Sequence, residues 1–344
     1  MALGTCYAIG NEITGFTTTG SVFVGSAATR PQSGSRCTIH VAQSTAADPP
    51  TNSFQFNQNW GPASTFFVLG VFTWSALGGS ADNNATLIEF KDASGVARLM
   101  VRGAGSGAVK ISTRNAAGSF VDLATSPANT IPIGGLTPIP MNIAVVYSST
   151  GSGFVEVRFN NNVAVSYTGA NTTDGATQLA QAVFCNCNTS NGIDWSEEWV
   201  SSVTLLNATV YSLPPLAAGA VQNWSGVVAD INSVAINDTN FISDGTANDL
   251  SGWTVATTLP TGAWQIQAFA QELRLSAGNT GPKHADFYLH VSGTDNLYGS
   301  SLAPPNGSFA NFSGAIWGTN PNSTNPWTNA DFTSGLNFGV KSLA

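Results

Sequence analysis

Charge is what this sequence has least of. Asp, Glu, Lys and Arg make up 9% of its 344 residues, against about a quarter in an ordinary soluble protein. Scarce charge signals disorder only when apolar residues are scarce too, and here they reach 42%. Cations are rarest: 11 Lys and Arg, spread along the chain, leave a net charge of −8. No basic patch is legible, so no nucleic-acid partner is expected. Nor is any apolar run long enough to span a membrane. The opening residues, MALGTCYAIGNEITGF, lack a basic segment followed by an apolar one. No export signal is read there, and synthesis in a cytoplasm is expected.

Metal-ligand spacing is also missing. The sequence has 3 His and 4 Cys, and its C-x-C at Cys185 and Cys187 stands alone, without the second pair a zinc site would need. No cofactor is expected. On a strand both thiols of C-x-C face the same way, which suits small buried side chains. Cys6, Cys37, Cys185 and Cys187 are candidates for a disulfide between an early and a late strand, should the mature protein reside outside cells. Long helical periodicity is absent, as is a G-x-S-x-G nucleophile elbow.

What is abundant is turn and strand chemistry. Gly (36) and Pro (16) are plentiful, 10% of residues are aromatic, and Asn, Ser and Thr supply polar surface without charge. This composition describes short strands joined by tight turns, an all-β protein. Its length exceeds what one core usually organises, so two domains are expected.

Strand signals are dense. FFVLGVFTWSAL (66–77) is a continuous apolar stretch suited to the middle of a sheet. TLIEFKD and ARLMVRG, separated by an SG turn, read as a hairpin, followed by AVKISTRN. In GFVEVRFNNNVAVSYTG (153–169), Val155, Val157 and Phe159 share one face. Asn160 to Asn162 form the turn there, since Asn tolerates positive φ. Alternation returns in VSSVTLLNATVYSL (200–213), read as another strand. The stretch PPLAAGA has proline and small residues without a pattern and reads as a connector. The expected domains are 1–213 and 223–344, joined by a linker at 214–222.

The second half begins new strands. In AWQIQAFAQELRL, Trp264, Ile266, Ala268, Ala270 and Glu272 alternate with Gln265, Gln267 and Phe269. Near the end, Thr328 is placed to cap a single helical turn through Ala330, Asp331 and Phe332. That turn would fold Trp327 onto the domain, and Leu336, Phe338 and Val340 would alternate along a closing strand.

The order IEFKDASGVARLMVR, PMNIAVVYSSTGSGFVEVRFNNNVAVSYTG, GIDWSEEWVSSVTLLNAT resembles the laminin-G-like, concanavalin-type jelly roll over residues 54–213. Residues 263–342, with SGTDNLYG and TNPNSTNPWTNADFTSGLNFGVKS, are similar to a C-terminal domain recurrent in structural proteins of tailed-bacteriophage virions. The resemblance implies two β-sandwich (jelly-roll) domains in tandem. It also implies a non-enzymatic virion protein, assembled in the host cytoplasm and displayed on the particle as a decoration, head-fibre or tail-fibre component. Other virion proteins, copies of itself and a host surface glycan are the partners that follow.

Two alternatives carry residues. A receptor-binding lectin fits aromatic-rich β chemistry, but Trp60, Trp74, Trp253, Trp264 and Trp317 all suit a core, and no sugar pocket is nominated. A glycan depolymerase needs two carboxylates flanking the scissile bond. The nearest cluster is DWSEEW, with Asp194, Glu197 and Glu198 between Trp195 and Trp199, and it reads more readily as a polar turn entering a strand. Calcium is the metal the loops could hold. Asp82 in SADNNAT and Asp174 in TTDGAT are the candidate ligands.

Overall fold

The structure, a computed structural model, describes residues 6–10, 16–25, 38–43, 50–56, 60, 62–74, 84–132, 137–186, 191–231, 237–255, 265–333 and 335–344. Asp82, Cys37, Cys187 and Trp264, and the side chain of Trp74, lie outside them. The chain divides into two compact units, Gly4–Tyr211 and a second built on Ser212–Ala344.

The first unit is a sandwich of two antiparallel sheets. Its early strands are β1 (Cys6–Gly10), β2 (Phe16–Thr19), β3 (Val22–Gly25), β4 (Thr38–Val41), β5 (Ser53–Phe56) and β6 (Thr65–Trp74). There follow β7 (Thr86–Lys91), β8 (Ala97–Gly103), β9 (Val109–Arg114) and β10 (Phe120–Thr125). The last are β11 (Ile139–Val146), β12 (Phe154–Phe159), β13 (Asn162–Thr168), β14 (Gln181–Cys185) and β15 (Ile193–Ser201). One sheet runs β13-β12-β11-β6-β15-β4-β3 with β1 added on β15; the other runs β10-β9-β8-β7-β14-β5-β2.

Residues 66–74 of the apolar run lie in β6, between β11 and β15 at the centre of its sheet, as expected; 75–77 lie outside the described residues. The hairpin β12–β13 turns through Asn160 (φ 51°) and Asn161 (φ 65°), and Val155, Val157 and Phe159 are buried. Between the sheets lies an aromatic core. Phe54 stacks on Phe184 at 5.1 Å, and Trp195 meets Phe184 at 5.1 Å and Phe72 at 5.4 Å. Trp195 donates its indole N–H to the Cys185 carbonyl at 2.9 Å, which removes the cost of burying that polar tip. Gly70 in β6 makes room for this cluster: a Cβ there would sit 2.8 Å from the Trp195 ring.

Two sequence expectations fail here. DWSEEW is no turn; it lies within β15, where every residue is buried. Of VSSVTLLNATVYSL, only Val200 and Ser201 are strand. The segment 202–211 forms no strand and packs Leu205 and Val210 on Leu69, Val71 and Trp199. Its apolar residues are real core, but its Val210 N–H is taken by the Glu197 carboxylate at 3.1 Å rather than by a strand.

The second unit pairs a five-stranded sheet with a two-stranded ribbon. The sheet contains β16 (Pro215–Gln222), β17 (Leu250–Val255), β19 (His284–Val291), β20 (Thr294–Leu297) and β22 (Asn337–Leu343). The ribbon is β18 (Phe269–Leu275) with β21 (Ala310–Trp317). The presumed linker is therefore a strand: PLAAGAVQ forms β16 and pairs with β17. Proline is harmless at the first strand position. The small residues have a purpose, since a Cβ on Gly219 would lie 2.6 Å from the Gly252 carbonyl. β18 also starts later than its alternation suggests, at Phe269, and it is the Phe269 and Gln271 face that is buried.

The capped turn, the buried Trp327 and a final strand are as expected, but Leu336 precedes that strand and burial along it does not alternate. Helix α1 (Asn329–Thr333) follows Thr328, whose hydroxyl accepts from Asp331 N–H at 3.3 Å while the Thr328 N–H donates back to the Asp331 carboxylate at 2.8 Å. This reciprocal cap satisfies two otherwise orphan donors. Trp327 is buried against Phe269, ring centres 4.8 Å apart. Strand β22 lies between β17 and β19.

Candidate functional site: the outer face of the seven-stranded sheet

Strand alternation sends Leu99, Val101, Val109 and Ile111 into the core. It therefore sends Arg98, Met100 and Arg102 of β8, and Lys110, Ser112 and Arg114 of β9, to the opposite face. Five of the chain's 11 Lys and Arg gather on β7 to β9: Lys91, Arg98, Arg102, Lys110 and Arg114. All five fall within residues 91–114 of the sequence, and the strand register brings them onto one sheet.

The register places Arg102 opposite Lys110, Met100 opposite Ser112, and Ser112 opposite Asp122 of β10. Like charges facing each other across strands repel, and Asp122 and Asn84 relieve that repulsion. Lys110, nearly buried, donates to the Asp122 carboxylate at 2.9 Å and to the Asn84 side-chain carbonyl. Ser112 donates to the other Asp122 oxygen at 2.6 Å. Burial alone would push the Asp122 carboxyl up, but the Ser112 and Lys110 hydrogen bonds prevail and hold it below its ordinary range. Arg102 donates to the Asn84 backbone carbonyl at 3.2 Å. Asn84 adopts φ 68°, a left-handed geometry that Asn accepts more readily than most residues.

Arg102 and Phe120 reach toward each other across β9, the guanidinium 5.6 Å from the ring centre. Met100 and Ser112 on the strands beneath are fully buried, and both Arg102 and Phe120 remain partly exposed. The result is a planar cation held over one face of an aromatic ring, with the other face open to a partner. An amide, an ammonium and a carboxylate border them. Such a surface can stack against the C–H face of a sugar ring and exchange hydrogen bonds with its hydroxyls.

Further along the same sheet, Arg98 joins Asp92 and Asp174. It donates to Asp92 at 2.8 Å and pairs with Asp174 through a second nitrogen. The other Asp174 oxygen accepts from Thr172 at 3.2 Å and from the Ala176 N–H at 3.3 Å. The calcium expectation at Asp174 is thereby corrected: a guanidinium occupies the cation's place. Among the described residues no group of three or more His, Cys, Asp or Glu is placed to hold a metal.

The carboxylates of DWSEEW are equally committed. Asp194, Glu197 and Glu198 are 2%, 0% and 0% exposed. Asp194 bonds His40 Nδ1 at 2.8 Å, and Phe23 stacks on that imidazole at 4.5 Å. Glu197 sits at the β-bulge between Ser196 and Trp199 with φ 57°. No acid here faces a cleft where a glycosidic bond could lie. Of the cysteines, Cys6 is a free thiol whose burial pushes its pKa up to about 12. Cys185 is a buried thiol pointing at the Val183 carbonyl, 3.6 Å away. These two, on different sheets, form no bridge with each other.

No family model matches the sequence, and a search of curated proteins finds no match either. Solved structures similar to the chain are β-sandwich proteins. One is an endo-β-1,4-glucuronan lyase from the fungus Trichoderma reesei (11% identity, TM-score 0.42, 58% of this chain and 96% of that one). Another is the cellulose-induced protein Cip1 (14%, TM-score 0.39, 57% and 92%). A third is the receptor-binding domain of botulinum neurotoxin type G (11%, TM-score 0.34, 59% and 44%).

Proposed function

We propose that this is a non-enzymatic structural protein displayed on a tailed-phage particle, and that it holds carbohydrate on the outer face of its seven-stranded sheet. The observation that carries the carbohydrate reading is the Arg102–Phe120 pair with Asn84, Lys110 and Asp122 around it. The virion setting is supported by the resemblance of residues 263–342. Burial of Asp194, Glu197 and Glu198 supports the non-enzymatic part, because a catalytic carboxylate must reach the scissile bond. Display in many copies would turn weak sugar contacts into useful avidity.

A second reading is decoration through contacts with neighbouring particle proteins or copies of itself. The uncharged strand β16, with Leu216 60% exposed, favours it, since apolar exposed strands invite partners.

The deciding experiment measures binding of labelled protein to bacterial cells with and without their surface polysaccharide. Saturable binding that disappears with the polysaccharide, and that weakens in Phe120→Ala, supports the glycan reading. Binding indifferent to both changes refutes it and leaves decoration. Release of new reducing or unsaturated ends from the polysaccharide would overturn the non-enzymatic assignment.

A further inference from the structure

The second unit repeats the chemistry of the sheet face in a different setting. Arg274 of β18 lies over the Phe309 ring, 5.8 Å from its centre. It donates through two nitrogens to the two Asp238 oxygens, both at 2.7 Å, and through the third to the Asn311 side-chain carbonyl at 2.7 Å. Arg274 and Asn311 are direct cross-strand partners in the β18–β21 ribbon, so this frame is built on paired strands. Phe241 completes it, 5.7 Å from Phe309.

Phe241 is 51% exposed. Its segment is nonetheless firmly held. The Ser225–Ser243 bridge pins it on one side, with backbone bonds of 2.8 and 2.9 Å. Asp238, locked to Arg274, pins it on the other. Arg274 lowers the Asp238 pKa by hydrogen bonding, so the carboxylate stays charged. Its exposed oxygens remain able to accept further hydrogen bonds, each having more than one lone-pair direction.

We infer that Phe241, Phe309, Asp238 and Asn311 form a second carbohydrate site, specific for neutral sugars. The aromatic pair takes the apolar face of a pyranose, and the Asp238 carboxylate and Asn311 amide take its hydroxyls. All three donor nitrogens of Arg274 that face this cluster are engaged by Asp238 and Asn311. The Asp238–Arg274 pair carries no net charge and its carboxylate is the more exposed partner, so no cation is left free to attract an acidic sugar. The first site differs, because Arg102 and Lys110 outnumber Asp122 there. This inference rests on the carbohydrate reading proposed above but uses different residues.

The test is titration calorimetry of the full chain with oligosaccharides from dextran, mannan and galactan, and with oligogalacturonate. A neutral oligosaccharide should bind, and Phe241→Ala should weaken it on the order of tenfold while Phe120→Ala leaves that site intact. Asp238→Asn, which keeps the side chain's shape, should weaken it in the same direction, and unchanged melting of each variant excludes misfolding. Absence of any neutral binding, or binding untouched by Phe241→Ala, overturns the inference. So does conversion of an oligomer to monomer by Phe241→Ala, which would make the patch a self-interface. Failure of the first site shows separately, as Phe120→Ala changing no binding to any neutral or acidic probe.

Discussion

The Trp327 indole donates its N–H to the backbone carbonyl of Trp317, 2.7 Å away, with both side chains buried. The bond ties the segment before α1 to the ribbon strand β21, and Trp317 in turn donates to the Gln271 side chain at 2.8 Å. Trp327→Phe keeps most of the volume and loses the donor. It should cost about 1–3 kcal/mol through the carbonyl left unpaired. Trp327→Ala should cost about 3–5 kcal/mol. Calorimetric melting of the second unit measures both, and an unchanged transition in Trp327→Ala would show that the ring is not a core residue.

The cap on α1 makes the second unit sensitive to acid. Hydrogen bonds from Thr328 hold the Asp331 carboxyl below its ordinary value of 3.8, with burial opposing them. A carboxyl depressed in the folded state contributes stability that is present above its unfolded pKa and lost as pH falls through the folded one. Relative to Asp331→Ala, the wild type should gain about 0.5–2 kcal/mol at pH 6. The advantage should shrink once pH falls below 3.8. Melting both proteins from pH 6 to pH 2.5 tests this; a constant difference would contradict the charge-based cap.

Gly70 should not tolerate a methyl group. Its Cβ would meet Trp195 at 2.8 Å and Phe184 at 3.0 Å, and a ring wedged in a packed core cannot swing aside. Gly70→Ala should destabilise the first unit by about 1–3 kcal/mol, read from its urea midpoint.

Calcium and chelator should each leave the first unit's melting temperature unshifted, because Arg98 holds Asp174. Asp174→Ala should lower stability by about 1.5–3 kcal/mol through loss of the charged hydrogen bonds. A calcium-dependent rise in melting temperature of the wild type would restore the metal reading.

Glu197 should matter for folding and not for chemistry. Glu197→Ala leaves the buried Val210 N–H without its acceptor, at a cost of about 1–3 kcal/mol. Glycan binding by the folded variant should stay at the wild-type level, and loss of a glycan-cleaving activity on this change would reverse the assignment.

What was legible in the sequence followed from periodicity and turn chemistry. The run at β6, the Asn160–Asn161 hairpin and the Thr328 cap each depend on residues close in the chain. DWSEEW was misread because charge normally marks surface. Asp194 and Glu197 find partners that the local sequence does not mark, His40 and the Val210 N–H. PLAAGAVQ carries no alternation, since its small residues answer to the close approach of Gly252 rather than to a buried face. The candidate site was illegible for a related reason. Arg102 and Phe120 are separated by all of β9, and only the β8–β9–β10 register brings them together.

The position of β22 bears on how the second unit is made. Strands β17 and β19 have no common partner until residues 337–343 join them. During synthesis the backbone groups of their facing edges must wait unpaired while α1 and β22 are still being translated. Such edges recruit other chains, so folding of this unit should respond to chaperone supply more than that of a sheet closed by sequential hairpins. Its yield in a heterologous host should fall with temperature sooner than its measured stability alone would suggest.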